Sequence, residues 1–320
     1  MNVSPRSSML TLSIAAVERD TGLSKDTLRV WERRYGFPTP GRDAVGERAY
    51  TLEQVEKLRV VKRLLDAGHR PGRIVPLEVE ALQQLADHTV DQPQRHTSNA
   101  AALMELADLR AHLALIRSHD LGALRRELTR RLARCGVARF VNEVVAPLNA
   151  AVGDAWIRGQ MEIFEEHAYT ELLQTVLRQA IAGIPPGADA DRPRVLLTSF
   201  PNEPHGLGLL MAEALLRLEG CQCVSLGVQT PVWDIVRAAT AYRIDIVALS
   251  FTGCMNPNQV VEGLAELAAK LPASVRVWVG GAAPVLHRRS VAGVLPLTTF
   301  DELAPELQRW RAEAMKTVRA

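Results

Sequence analysis

The sequence has no uninterrupted apolar run approaching the ~18 residues that a membrane span needs, which argues against a helical membrane protein. Its first residues carry no basic segment followed by an apolar stretch, so no secretion signal is expected and the chain reads as cytoplasmic. Cysteine is scarce. Cys135, Cys221, Cys223 and Cys254 form no CxxC pair and no Cys/His zinc spacing, so they are expected to be reduced thiols rather than disulfides or metal ligands. Aromatics make up only 5% of the 320 residues, so an aromatic in a polar context stands out. Net charge is also small, at +2, but it is uneven. Residues 1–75 hold 14 Lys/Arg against 9 Asp/Glu, a net of +5, which leaves −3 for the remainder. A basic N-terminal segment on a slightly acidic chain points to a local polyanion contact.

What is present is ordinary globular material. Hydrophobic residues are 47% and charged residues 23%, enough for more than one core, and the length suggests two or three domains. Residues 10–80 are charged and Arg-rich. A linker is expected over 81–100, around the polar stretch Asp87–Ser98. Residues 101–184 show helical apolar periodicity and predict a bundle of about four helices, with Leu113, Leu115, Leu124, Leu128, Leu132, Val141 and Val145 in its core. After a second linker at IPPGADADRP, residues 193–318 alternate short β-rich runs (RVLLTSF, CQCVSLG, IDIVALS, RVWVGG) with helical segments. That predicts a Rossmann-like parallel sheet with crossover helices, both faces covered.

LSIAAVERDTGLSKDTLRVWERRYG reads as two short helices about a turn at Gly22, the second capped by Ser24. Lys25, Thr27 and Arg29 open that second helix, where a recognition helix meets base edges. Arg33, Arg34 and Tyr35 close it, and Arg42 and Arg48 flank a Gly-containing hairpin whose basic wing would contact phosphates. Thr51, with Gln54 three residues on, caps the next helix. These residues, from the AAxxxTGLSxDTLRxWERRYG stretch to Arg48, Tyr50, Val55 and Leu58, resemble the MerR family. The resemblance implies a winged helix-turn-helix and a homodimer on a pseudo-palindromic promoter site. Metal-sensing members carry cysteines after their dimerisation helix, and this chain has none there.

Two constellations stand out further on. Glu203-x-His205-x-x-Gly208 follows a strand and leads into a helix, at the edge where open parallel sheets bind ligands. A neutral imidazole ligates cobalt well, and a carboxylate two residues earlier can fix its tautomer. Gly206 and Gly208 remove side chains where a large planar ring would approach the backbone. The second is Trp156 followed, after nine residues, by Glu166 and His167 in what reads as the middle of an apolar helix, where burial would be costly.

The first resembles the D-x-H-x-x-G motif of cobalamin-binding domains, with Glu203 in place of Asp. The second resembles the helical cap of cobalamin-dependent photoreceptor repressors, the CarH/LitR group. The resemblance implies adenosylcobalamin, or methylcobalamin, held base-off with His205 below cobalt. It places Ser250 and Thr252 at the detached nucleotide base and Gly280–Gly281 along the nucleotide tail. Trp156, Glu166 and His167 would then sit over the upper face. In the light-responsive members the residue after the Trp is a histidine that binds cobalt once the adenosyl group is lost. Here it is Ile157, so that adduct is not expected, and His167 or water would fill the position.

The function expected is a light-responsive regulator, a repressor by resemblance, acting on promoter DNA as a homodimer or homotetramer. A corrinoid mutase or methyltransferase module stays open on the C-terminal half alone, although no substrate barrel of ~250 residues accompanies it. A regulator using another tetrapyrrole, or none, also stays open. A dinucleotide fingerprint at Gly206-Leu207-Gly208 is incomplete, since Met211 takes its last glycine site. His69, His88, His96, His112, His119 and His287 show no ligand spacing and read as surface or loop residues.

Overall fold

The computed structural model describes residues 11–43, 45–90, 100–185 and 193–319. They form two compact units. One is the N-terminal part to His96 together with Asp154–Gln160. The other is Thr97–Gly153 with Met161–Ala320.

The first unit is a winged helix. Strand β1 (Thr11–Ser13) enters helix α1 (Ile14–Thr21), whose first turn is capped by Ser13 and which ends at Gly22 with φ +70°. Helix α2 (Lys25–Tyr35) starts on the Ser24 hydroxyl, which accepts from Thr27 N. Strands β2 (Gly41–Arg42) and β3 (Arg48–Thr51) form the wing, in an antiparallel sheet of order β1-β3-β2. Thr51 caps α3 (Leu52–Asp66) through Gln54 N at 3.3 Å, as its spacing predicted. The short α4 (Pro71–Ile74) and α5 (Val79–Val90) complete the unit around Val17, Leu28, Trp31, Tyr50, Leu58, Val61 and Leu64. Two features differ from the sequence reading. β1 is too short to show an alternating pattern and exists through pairing with β3, Leu12 opposite Tyr50. Residues 81–90, assigned to the linker, are helical because Leu82 and Ala86, one turn apart, both bury in this core. Residues 91–99 of that linker, and 186–192 of the second, lie outside the described residues.

The second unit begins with the bundle: α6 (Ala100–Arg117), α7 (Leu121–Arg139), a π-helical segment Phe140–Val145, α8 (Ala146–Ile157), whose residues from Asp154 on belong to the first unit, and α9 (Ile163–Ala182). Gly136, at φ +75°, breaks α7, and the π turn that follows turns Phe140, Val141 and Val145 inward. Leu124 and Leu128 are buried as expected, whereas Leu113, Leu115 and Leu132 are only partly covered. His112 takes a place on the inner face instead. It is buried beside the fully buried Ile116, and its Nε2 lacks a hydrogen-bond partner, so the surface reading of this histidine is wrong.

Burial holds the His112 imidazole below its ordinary value of 6.5, against a smaller opposing pull from Glu127. The unfolded chain therefore takes up a proton near pH 6.5 that the folded chain refuses. Stability tied to this group is present above that pH and is lost as pH falls toward the folded value. His112→Leu is expected to flatten the decline in denaturant-measured stability between pH 7.5 and 5.5. Equal slopes for both proteins would refute it.

Five parallel strands follow: β4 (Arg194–Thr198), β5 (Gln222–Gly227), β6 (Ile246–Ser250), β7 (Arg276–Gly280) and β8 (Val294–Pro296), in the order β5-β4-β6-β7-β8. The crossover helices are α10 (Leu207–Leu218), α11 (Val232–Ala241), α12 (Pro257–Lys270) and α13 (Val285–Arg288), with α14 (Leu303–Arg319) closing the chain. Side chains alternate between the faces. Leu196, Val247, Leu249, Val277 and Val279 pack under α11–α13, while Val195, Leu197, Ile246, Ala248 and Trp278 pack under α10 and α14. The fold is thus the one the alternation implied, with an edge strand β8 of three residues that no pattern announced. Because β4 has β5 on one side and β6 on the other, the strand order reverses between β4 and β6. A crevice opens at such a reversal, at the carboxyl ends of the strands. Helix α10, which starts beside it, packs against α9 and α7 of the bundle.

Candidate functional site

The loop after β4 is pinned before it reaches the site. Ser199 Oγ donates to Glu203 O at 2.7 Å and accepts from Gln229 N at 2.9 Å. Glu203 is fully buried, at 0% exposure. Its carboxylate accepts His205 Nδ1–H at 2.7 Å, Thr252 N–H at 2.7 Å and the Thr252 hydroxyl at 3.0 Å. Thr252 lies on the loop after β6, so these bonds tie together the two loops that flank the strand-order reversal. Burial opposes the ionisation of Glu203, but hydrogen bonds from His205 and Thr252 outweigh it and hold the carboxyl below its ordinary range. His205 is raised to about 10 by Cys254 and Glu203, against the effect of burial.

Only one ring nitrogen of His205 is engaged. Its side chain is 53% exposed, and Nε2 has no hydrogen-bond partner among the described residues. A buried carboxylate on Nδ1 and an open Nε2 is the arrangement of a histidine set to ligate a metal. The surrounding glycines match a close approach. Gly206 is the N-cap of α10, and a Cβ there would come within 3.2 Å of Val228. A Cβ on Gly208 would stand 2.7 Å from Ser250 Oγ, so its absence lets Ser250 lie over the start of α10. Gly281, at φ +110°, packs against the backbone of Phe251, while Gly280 ends β7 and accepts from Phe251 N.

The structure therefore brings Glu203, His205, Thr252, Gly208 and Ser250 together and sets Gly280–Gly281 beside the same β6 loop. Thr252, expected at a nucleotide base, has its hydroxyl and N–H on Glu203. Sequence reasoning missed Cys254. Its thiol is 3.5 Å from Glu203 Oε2 and 3.9 Å from His205 Nδ1. The signal was its position two residues after Thr252, which counting Cys spacings alone overlooks.

Glu166 and His167 are not in mid-helix. They lie in and just after the first turn of α9, where Glu165 bonds back to Glu162 N at 2.8 Å in a capping box. Glu166 accepts from Thr170 Oγ1 at 2.7 Å, and the His167 side chain is 70% exposed. The burial-cost argument for this pair therefore falls away, since an N-terminal turn favours a carboxylate and leaves both groups near solvent. Trp156, partly buried, belongs to the first unit, where its neighbour Ile157 packs against the winged-helix core.

In the winged helix, Arg29, Arg33, Arg34 and Arg42 are exposed. Lys25 is 3.6 Å from Glu18, and Thr27 shares a 2.8 Å contact with Ser24 Oγ at the cap. Arg34 lies over the Tyr35 ring, and Arg42 bonds Gly46 O across the wing. Arg48 differs from the rest. It pairs with Glu32 at 2.8 Å, both half-buried, and so braces the wing against α2.

Three regions of the chain match known family models. Residues 12–77 match the MerR HTH family regulatory protein model, and residues 110–181 and 193–295 each match a B12 binding domain model. The HTH-type transcriptional repressor CarH of Myxococcus xanthus is 32% identical over 272 residues, 83% of this chain and 87% of that protein. The HTH-type transcriptional repressor CarA of the same organism is 31% identical over 288 residues, 88% of this chain and 90% of that protein. Among solved structures, the Methanosarcina barkeri monomethylamine corrinoid protein has a TM-score of 0.49 at 15% identity, covering 60% of this chain and 92% of that one. The chain belongs to the family of MerR-type transcriptional regulators with B12-binding domains that includes CarH and CarA.

Proposed function

We propose that the chain is a cobalamin-dependent transcriptional repressor that binds promoter DNA as a homodimer or homotetramer. The observation that carries the reading is the Glu203–His205–Thr252 constellation at the strand-order reversal, in one chain with a MerR-type DNA reader. In this reading His205 Nε2 ligates cobalt from below, with the cofactor's own base detached. Glu203 keeps the proton on Nδ1 and raises the basicity of the ligating nitrogen. The residues fit a corrinoid: Nε2 is open, the carboxylate behind it is ionised and pinned, and Gly206 and Gly208 keep side chains off the start of α10. Ser250 and Gly280 would line the path of the nucleotide tail.

Adenosylcobalamin, when bound, supplies a weak and photolabile cobalt–carbon bond; methylcobalamin is the alternative form. Trp156, Glu166 and His167 are assigned to the upper face, where their contacts would differ with and without the adenosyl group. Such a difference is what a population shift between assembly states requires. Ile157 offers no ligand and is engaged in packing, which leaves His167 or water for the vacated position.

The test is reconstitution of the full chain with adenosylcobalamin in the dark. Absorption, size-exclusion and promoter gel shift are then followed before and after green illumination. Expected are a bound corrinoid with the spectrum of histidine ligation, a larger assembly than the apo chain, and DNA binding that is lost on illumination. A chain that takes up no corrinoid would overturn the cofactor reading. Unchanged assembly and DNA binding after photolysis would overturn the light response alone.

On the DNA side, Arg29→Ala is expected to weaken promoter binding by about 1–3 kcal/mol and to relax sequence preference. Arg42→Ala is expected to weaken all sequences alike and to lower the salt-dependence slope by about 1. Competition gel shifts at several salt concentrations distinguish the two, and the opposite pattern would reverse the assignments.

A further inference from the structure

Cys254 completes a second donor set on the side of His205 that faces away from Nε2. Glu203, His205 and Cys254 each offer one ligand atom, and all of these lie within 4.8 Å of one another. The Thr252 hydroxyl stands among them, 3.0 Å from both carboxylate oxygens, 3.1 Å from Nδ1 and 3.2 Å from Sγ. Nδ1 lies 2.7 Å from Oε1, while Sγ lies 3.5 Å from the other carboxylate oxygen, Oε2, and 3.9 Å from Nδ1, so imidazole, thiol and hydroxyl with one carboxylate oxygen make a small, uneven tetrahedron. A tetrahedron of ~3.3 Å edge has its centre ~2.0 Å from each corner, close to the bond lengths of zinc to nitrogen and oxygen and a little short of that to sulfur.

We propose that the chain without corrinoid binds one thiophilic divalent cation, of the zinc or cobalt(II) class, through Glu203 Oε, His205 Nδ1 and Cys254 Sγ, with the Thr252 hydroxyl or a water in the fourth position. Each donor has its reason. Glu203 is buried and already held as a carboxylate by Thr252 N–H, so the anionic ligand needs no rearrangement. Imidazole and thiolate together select borderline and soft ions over magnesium or calcium. Binding displaces the thiol proton and takes Nδ1 as a neutral donor, with the imidazole's remaining proton on Nε2, so the ion's two charges meet a carboxylate and a thiolate. The remaining cysteines are placed differently. Burial pushes the Cys221 thiol up to about 12 and raises Cys223 as well, and no His/carboxylate cluster of this kind includes either of them among the described residues.

The consequence is regulatory. The ion takes the nitrogen whose proton Glu203 must hold if Nε2 is to ligate cobalt in the proposed way. Cation and corrinoid are therefore expected to compete, and this second clause rests on the cofactor reading, whereas the cation site itself does not. The experiment uses the full chain freed of corrinoid and metal, titrated with Co²⁺. A near-ultraviolet thiolate-to-cobalt charge-transfer band should reach its maximum at one equivalent, and Zn²⁺ should bleach it. Cys254→Ser should remove the band and weaken Zn²⁺ binding by at least ~10-fold, while Cys223→Ser keeps both. Far-UV circular dichroism confirms that each variant is folded, since serine for cysteine is nearly isosteric.

Absence of the band in the wild-type chain, or its survival in Cys254→Ser, overturns the site. Chain loaded with adenosylcobalamin, as judged by its own corrinoid absorption, should give no charge-transfer band; a band there overturns the competition. A chain that binds Co²⁺ as described but never takes up corrinoid would sink the cofactor reading and leave the cation site standing.

Discussion

His205→Ala is expected to abolish the spectrum of histidine-ligated cobalamin and to lower cofactor affinity more than any other single change at the site. Reconstituted with adenosylcobalamin and passed over a desalting column, the variant should retain little corrinoid. What remains should absorb like the free cofactor. Glu203→Gln separates ligation from positioning. It keeps the side-chain volume and an acceptor for Nδ1–H, but it removes the charge and turns an NH2 group toward the Thr252 donors. Groups that orient a metal-bound histidine in this way are worth ~10–100-fold in affinity, so Glu203→Gln should fall between wild type and His205→Ala while still showing ligation in its spectrum. Normal affinity and an unaltered spectrum for His205→Ala would refute the ligand assignment. A Glu203→Gln protein that behaves like wild type would refute the positioning role.

Gly281→Ala is expected to unfold or severely destabilise the sheet unit. Its φ of +110° lies where side chains are strained, and a Cβ there would stand 2.1 Å from the carbonyl oxygen of Phe251 and 2.9 Å from its carbonyl carbon. Both partners are backbone, held by the β6–β7 pairing, so neither can swing aside. Strain of this kind and overpacking each cost about 1–3 kcal/mol, and together about 2–6 kcal/mol of a total that is typically 5–15. Gly280→Ala is the control, since its Cβ would meet Leu297 O at an ordinary 3.6 Å. Urea melts should show a large loss for Gly281→Ala and less than about 1 kcal/mol for Gly280→Ala. Equal midpoints would show that the Phe251 segment yields more easily than its pairing implies.

These effects show which parts of the molecule could be read from residues in order. Ser24, Gly22 and Thr51 act over three or four residues, so the winged helix announced itself through its caps and turn. Strands β4, β6 and β7 are mostly buried on both faces and were visible as apolar runs for that reason. Glu203 and His205 are two residues apart, and a carboxylate at that distance reaches the imidazole by local geometry alone. Strand β1, by contrast, exists because β3 pairs with it, and α5 because Leu82 and Ala86 found a core to enter. His112 gave no sign of burial, because a lone histidine at helical spacing looks the same on either face. Glu166 and His167 looked buried only because the start of α9 could not be placed.

For the site itself, the sequence alone singled out the candidate histidine, its carboxylate and the glycines around them, because each works through its own backbone or its near neighbours. Only the tertiary structure decided that Thr252 and Cys254, some fifty residues further on, close around that same carboxylate. The physical reason is the order of the strands. Only when β6 lies beside β4 do the two loops meet at one edge, and no local pattern in the chain specifies that neighbour.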